Sequence, residues 1–257
     1  CNVCNLARFH LFNFDGVFLM DSLIRRIAHY VESDPNSFDE IADLPYKIET
    51  YAAGQDIVTE GDTVDFVFVI ESGWAIRFRL LDDGRRQILN FMLPGDCFDL
   101  MAINRAKSDH NVSGASEVVL RKIKADIFLK TVTKNSRLAT SFWWAAIQEE
   151  AVLREQIIRV GRRSAKERTA HLILELNRRV ATVSGRLDDY LVLPVAQSLF
   201  ADALGLSIVH VSRTLTKLKA EGYIRMDNQG IEILSREAMA QMCDFDSRYL
   251  HLDKLTV

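Results

Sequence analysis

No apolar run in this 257-residue chain reaches the eighteen or so residues that a membrane-spanning helix needs. The N-terminus lacks a basic region followed by a clean apolar core, so no secretory signal is expected. Cysteine is scarce. Four in the whole chain do not suggest the disulfide framework of a secreted protein. The expected setting is cytoplasmic, with no membrane partner. Also missing are a nucleophile elbow, a Walker loop and any pair of metal ligands with closing partners, so nothing supports an enzyme. A strong charge of either sign is absent too. The formal net charge is −3, an awkward balance for a protein that binds nucleic acid.

The whole-chain charge hides an asymmetry. Residues 159–257 hold 15 Lys and Arg against 12 Asp and Glu, whereas residues 1–158 hold 17 against 23. The positive part contains the most informative stretch, LPVAQSLFADALGLSIVHVSRTLTKLKAEGYI from Leu193. Leu199, Phe200, Ala203 and Leu204 recur there at helical spacing. Gly205 is placed to end that helix in the left-handed region, and Ser207 to cap the next. In the second helix Val211, Leu215 and Leu218 form an apolar stripe, opposite a front of His210, Arg213, Thr214 and Lys217. A plain helical hairpin would share the stripe. The tight glycine turn and the polar, basic front mark a DNA-binding helix-turn-helix. RMDNQGIEIL after it reads as a β-hairpin wing turning at Asn228–Gly230.

Upstream the pattern changes. A helix is expected over Val17 to Val31. From Tyr46 the period becomes two, with short β-rich runs broken by Gly and Asp clusters such as Asp82-Asp83-Gly84 and Pro94-Gly95-Asp96. Such runs argue for a small sandwich or barrel. Asp83-Gly84 marks a hairpin between Ile76–Leu81 and Arg86–Phe91. Ala125 to Thr133 is a short helix leaving this unit. Ser136 to Arg163 has no Pro, and no Gly before Gly161. It reads as one helix about 40 Å long. Trp143, Ala146, Glu150, Leu153, Ile157 and Val160 alternate by three and four, a coiled-coil seam. That favours a parallel homodimer over a helix packed only on its own domain. Gly161-Arg162-Arg163 is expected to break the helix as a hinge. Ser164 and Glu167 form a capping box opening Lys166–Ala181, whose apolar face is Leu172, Ile173, Leu176 and Val180. The tail from Ser235 reads as a capped helix plus an extended end.

The run ADALGLSIVHVSRTLTKLKAEGYI resembles the helix-turn-helix of the cyclic-AMP receptor protein/fumarate-nitrate regulator (CRP/FNR) superfamily. Independently, EGD, ESGWAIRFR and DGRRQILNFMLPGD resemble landmarks of a cyclic-nucleotide-binding β-roll, in the superfamily's order. The resemblance implies an α+β chain in three parts. Residues 1–135 form a sensor or effector domain, an N-terminal cyclic-nucleotide-binding-like β-roll with a helical segment before it. Residues 136–163 form a dimerisation helix, and residues 164–257 a C-terminal winged helix-turn-helix with a tail. The implied function is a transcription regulator that binds a palindromic operator in double-stranded DNA as a homodimer, with RNA polymerase as a further partner. DNA binding then falls to Gln197, Ser198, Ser207, Val209, His210, Ser212, Arg213 and Lys217. Arg213 keeps the family Arg, whose fork takes guanine O6 and N7 together. Val209 stands where relatives often carry Glu, and packs on a thymine methyl instead. Gln197 and Ser198 position the phosphate.

The family's cyclic-AMP binders hold ribose and phosphate with a Gly-Glu and an Arg-Ser pair. Here Gly95-Asp96 stands where the cassette begins, and Ser108-Asp109 where Arg-Ser is expected. An effector pocket is therefore expected around Gly95, Asp96, Arg105, Lys107 and Ser108, without the cation in place that a buried phosphate requires. Cyclic-AMP binding is not expected. Cys1-x-x-Cys4 resembles the start of the fumarate-nitrate branch's iron–sulfur segment, where four thiolates are normally needed. His10 stands at the third ligand's spacing and Arg121 at the fourth's. No cofactor is expected. The alternatives are an iron–sulfur centre involving Cys1, Cys4 and His10, or a haem on His10, His29, His110 or His171. Either would make the chain a redox or gas sensor on the same scaffold. A cyclic-nucleotide-responsive regulator is the remaining alternative. GRRQILNFMLPGD and the altered cassette look most like the nitrogen-fixation and microaerobic (FixK-like) branch, whose members often bind no known cofactor.

Overall fold

The computed structural model describes residues 22–30, 38–194 and 196–252. It opens with α1 (Ser22–Ala28) and α2 (Asp39–Ala42). α1 ends three residues short of the Val31 boundary read from sequence, and Val17 lies outside the described residues. Eight strands follow: β1 (Tyr46–Tyr51), β2 (Asp56–Val58), β3 (Phe66–Ser72), β4 (Ala75–Leu80), β5 (Arg86–Met92), β6 (Cys97–Phe98), β7 (Asn111–Gly114) and β8 (Val118–Lys124). They form two antiparallel four-stranded sheets, ordered β1-β8-β3-β6 and β2-β7-β4-β5. Phe68, Ile70, Met92, Val112 and Leu120 pack together between them, and the Phe68 and Phe98 rings stack at 5.0 Å. Each buried side chain of that size stabilises the roll by about 1.5–3 kcal/mol. The hairpin at Asp83-Gly84 joins β4 to β5 as its sequence demands.

α3 (Ala125–Lys134) leaves the roll and is followed by α4 (Ser136–Arg162). Asn135 caps α4, its side-chain oxygen accepting from the backbone N–H groups of Arg137 at 3.0 Å and Leu138 at 3.3 Å. The helix has two faces. Leu138, Phe142, Ala151 and Val152 are buried against the rest of the chain, while Trp143 is 72% and Ile157 70% exposed. Gly161 stays helical, and the helix ends at Arg162 with Arg163 outside it, inside the Gly161-Arg162-Arg163 break read from sequence. An isolated helical glycine costs only about 1 kcal/mol. The stop is set by the next helix. Ser164 Oγ accepts from Glu167 N, and the Glu167 carboxylate accepts from Ser164 N at 2.7 Å.

That box opens α5 (Ala165–Ser184), which is buried almost all round from Thr169 to Asn177, not on one face only. The reason is that α5 lies between partners. β9 (Tyr190–Val192), α6 (Gln197–Leu204), α7 (Ile208–Ala220), β10 (Ile224–Met226), β11 (Gly230–Ile233) and α8 (Arg236–Cys243) follow. α5 packs on α7 and α8 and also meets α1, α4 and α6. β9 completes a three-stranded sheet, β10-β11-β9. It escaped the sequence reading because three residues are too few to display a period. After α8 the chain turns through a 3-10 turn, Ser247–Leu250.

Candidate nucleic-acid interface

α6 and α7 meet at Gly205, whose φ of +63° ends α6 in the left-handed region, where glycine is unstrained. Ser207 Oγ accepts from His210 N at 3.2 Å and caps α7. Val211, Leu215 and Leu218 seal the back of α7 into the core. Ser207, Val209, His210, Ser212, Arg213 and Lys217 are all exposed on its other side. Gln197 is exposed and Ser198 half-buried on the first turn of α6. Among the described residues no carboxylate pairs with Arg213, whereas Lys217 Nζ lies 4.0 Å from Glu221. The helix N-terminus adds partial positive charge to this end.

One assignment is corrected. Thr214 is not on the polar front: it is 6% exposed, and its hydroxyl donates to His210 O at 2.8 Å. Threonine satisfies its own hydroxyl in this way, so it sits in the core as a small apolar residue would. Ile208 was missed in the opposite sense. It is 54% exposed beside Val209 at 59%, and these two β-branched side chains form an apolar tip at the end of α7. The wing turn is held by Asp227, whose Oδ1 accepts from Gln229 N at 2.7 Å, Gly230 N at 2.9 Å and the Tyr190 hydroxyl at 2.7 Å. Aspartate bonding to the backbone two residues on is a turn signal that the wing reading had not used.

The predicted effector residues do not come together. Gly95 and Asp96 line a small seam against Arg26, Gln148 and Arg179. Gly95 has φ +87°, and a Cβ there would lie 2.6 Å from Ser22 O of α1. Arg105 and Lys107 are exposed, and Ser108 is buried with its hydroxyl donating to His110 O. A wider cavity of about 400 Å³ lies elsewhere on the roll. Its walls include Arg77, Asp99, Asp109, His110, Glu149 and Leu153. His110 lies 3.1 Å from Asp99 through Nε2 and 2.7 Å from Asp109 through Nδ1. Arg77 is paired with Glu149, and Arg79 lies 3.0 Å from Glu60. The hydrogen bond from His110 is the main cause holding the Asp109 carboxyl below its ordinary range. A phosphate here would meet carboxylates, and the nearby cations already have partners.

Cys1, Cys4 and His10 lie outside the described residues. Among the described residues no group of three or more His, Cys, Asp and Glu side chains is placed to hold a metal. His29 bonds Leu252 O, and His171 accepts from Arg159. Arg121 pairs with Glu71 and lies over the Tyr46 ring. Among the described residues, burial pushes the thiols up, Cys97 strongly and Cys243 to about 12, away from the thiolate that metal binding needs. No helix among the described residues is long and apolar enough to cross a membrane.

A double-sheet roll, a long helix and a winged helix-turn-helix with a bare polar front define a DNA-binding transcription regulator. Residues 48–135 match the cyclic nucleotide-binding domain and residues 167–242 the Crp-like helix-turn-helix domain. The chain is 30% identical over 220 residues to the nitrogen fixation regulation protein FixK of Bradyrhizobium diazoefficiens, covering 86% of this chain and 91% of the relative. It is 30% identical over 211 residues to the transcriptional activatory protein AadR of Rhodopseudomonas palustris, covering 82% and 87%. The solved structure of FixK2 from Bradyrhizobium japonicum superposes with a TM-score of 0.69 at 25% identity, over 77% of this chain and 97% of that one. The chain belongs to the CRP/FNR superfamily of transcription regulators, with FixK-type regulators among its relatives.

Proposed function

We propose that the chain works as a homodimer that reads a two-fold symmetric operator through α7 and takes no cyclic nucleotide in its roll. The observation that carries this reading is the exposed front of α7, from Ser207 to Lys217, on a helix whose back is sealed. The apolar tip of Ile208 and Val209 suits thymine methyl groups, and the Arg213 fork suits guanine. Gln197 and Ser198 face the phosphate side. The exposed Trp143 and Ile157 on α4 supply the dimer seam, with Ala146, Leu153 and Val160 along it. Glu150 is answered within the chain by Arg154 one turn on, so it does not require a ligand. One relative's name states activation, and the same role here makes RNA polymerase the partner. The three carboxylates of the roll cavity support effector-independent binding, because a cyclic phosphodiester needs a free cation there. Calorimetry with cyclic AMP should give no binding heat at micromolar protein. A micromolar dissociation constant would overturn that part of the reading.

A further inference from the structure

One carboxylate outside the roll cavity gathers several distant segments of the chain. Asp96 sits in the turn from β5 to β6, where the lack of a side chain on Gly95 lets α1 approach. Its Oδ1 accepts from Arg26 Nε of α1 at 3.0 Å. Its Oδ2 accepts from Arg179 Nη2 of α5 and from Leu93 N, each at 2.9 Å. The Arg179 side chain is 5% exposed, and it also donates to Asn90 Oδ1 at 3.0 Å and Phe91 O at 2.8 Å, both in β5. Arg26 reaches on to Gln148 of α4, and Gln148 in turn donates to Leu250 O of the C-terminal tail. Burial alone would raise the Asp96 carboxyl, but Arg179 and Arg26 outweigh it and hold it below the usual range.

We propose that Asp96 is a positioning residue for operator recognition. It fixes α5, and with it α7, against the roll and α4, and so sets the separation of the two recognition helices in the dimer. The proposal rests on the homodimeric reading above. Moving α5 as a body would strip a buried guanidinium of its carboxylate and of two further acceptors in the roll, and an uncompensated buried charge is strongly unfavourable. Roll and winged unit are also joined through α6, by the buried ring contact of Phe91 with Phe200 at 6.0 Å and by the more exposed pair of Arg86 and Asp202 at 2.7 Å. Among the described side-chain ion pairs, it is Arg179 with Asp96 that ties α5 to the roll.

Affinity for one half-site belongs to α7. Preference for one half-site spacing belongs to whatever holds the two α7 helices apart. The test uses the full chain on duplexes carrying one half-site, or two at the best spacing and at spacings one or two base pairs longer and shorter. Wild type should lose roughly tenfold or more on a one-base-pair change. Asp96→Asn and Arg179→Gln should bind the single half-site within roughly twofold of wild type, yet discriminate spacings by less than roughly threefold. The double variant should lose less spacing preference than the two single losses added together, because both break the Arg179–Asp96 contact. Arg179→Gln leaves the Arg26–Asp96 pair in place, so it gives the readout even if Asp96→Asn folds poorly. Full spacing preference in Arg179→Gln overturns the proposal. So does an equal loss on single and paired half-sites. Wild type gaining nothing from a second half-site removes the homodimeric reading, and this proposal with it.

Discussion

Arg213 and Lys217 lie one turn apart on the same exposed face, and the account gives them different work. Arg213→Ala should lose about 1–3 kcal/mol on the best operator and relax preference at one symmetric base pair. Lys217→Ala should weaken all sequences alike and flatten the salt dependence. Titrations over single-base operator variants decide it: an equal loss on every variant would make Arg213 a phosphate contact. A second residue-scale test lies where α4 meets α5. Glu155 is paired with Arg163 and lies 3.2 Å from His171 Nε2. The neighbouring His171 ring leads, burial opposes and Arg163 adds, taking the Glu155 carboxyl from 4.5 to about 2. Burial, the largest cause, holds His171 below 6.5. Both folded values lie below the unfolded ones. His171's contribution is therefore complete above pH 6.5 and lost as pH falls, and Glu155's is complete above pH 4.5 and lost toward pH 2. Glu155→Gln should flatten the fall in melting temperature below pH 4.5. A variant that tracks wild type there would contradict the assignment. The cap at Ser207 and the helix end at Gly205 were legible because both depend on neighbours within one turn. Asp96 was not, because its partners Arg26 and Arg179 stand 70 and 83 residues away. Sequence placed it in an effector pocket, whereas the fold places it in a seam between helices.

Among the elements, α4 was read best. Twenty-seven helical residues show their period plainly, and the seam read from spacing falls on the exposed face that carries Trp143 and Ile157. Its end falls at Arg162, inside the Gly161-Arg162-Arg163 break read from sequence, and the Ser164 capping box starts the next helix. β9 was invisible for want of length. Substituting Leu153 or Ile157 by Asp should give monomers, because an unpaired carboxylate in an apolar seam costs at least about 2 kcal/mol. Ile157 is 70% exposed in the single chain, so its replacement does not disturb the protomer's own core. Sedimentation showing intact dimers for both variants would defeat the seam. Monomers should also bind the operator more weakly, since each half-site holds only part of the phosphate contacts.

At the scale of the molecule, the acidic and basic halves acquire a purpose. The basic half carries α7 and the wing, while the roll puts carboxylates in its cavity and a further one, Asp96, in the seam beneath α5. The two units were legible separately because each has its own local signals: glycine corners in the roll, cap and turn in the helix-turn-helix. How they dock was not, because the contacts join residues far apart in sequence, Phe91 with Phe200 and Asp96 with Arg179. This docked dimer should recognise a symmetric sequence unaided. Selection of bound duplexes from a random pool by the purified chain, with no added ligand, tests it most directly. The expected result is enrichment of one motif with two inverted half-sites at a single spacing. Enrichment of an isolated half-site, of half-sites at many spacings, or of no motif would contradict it.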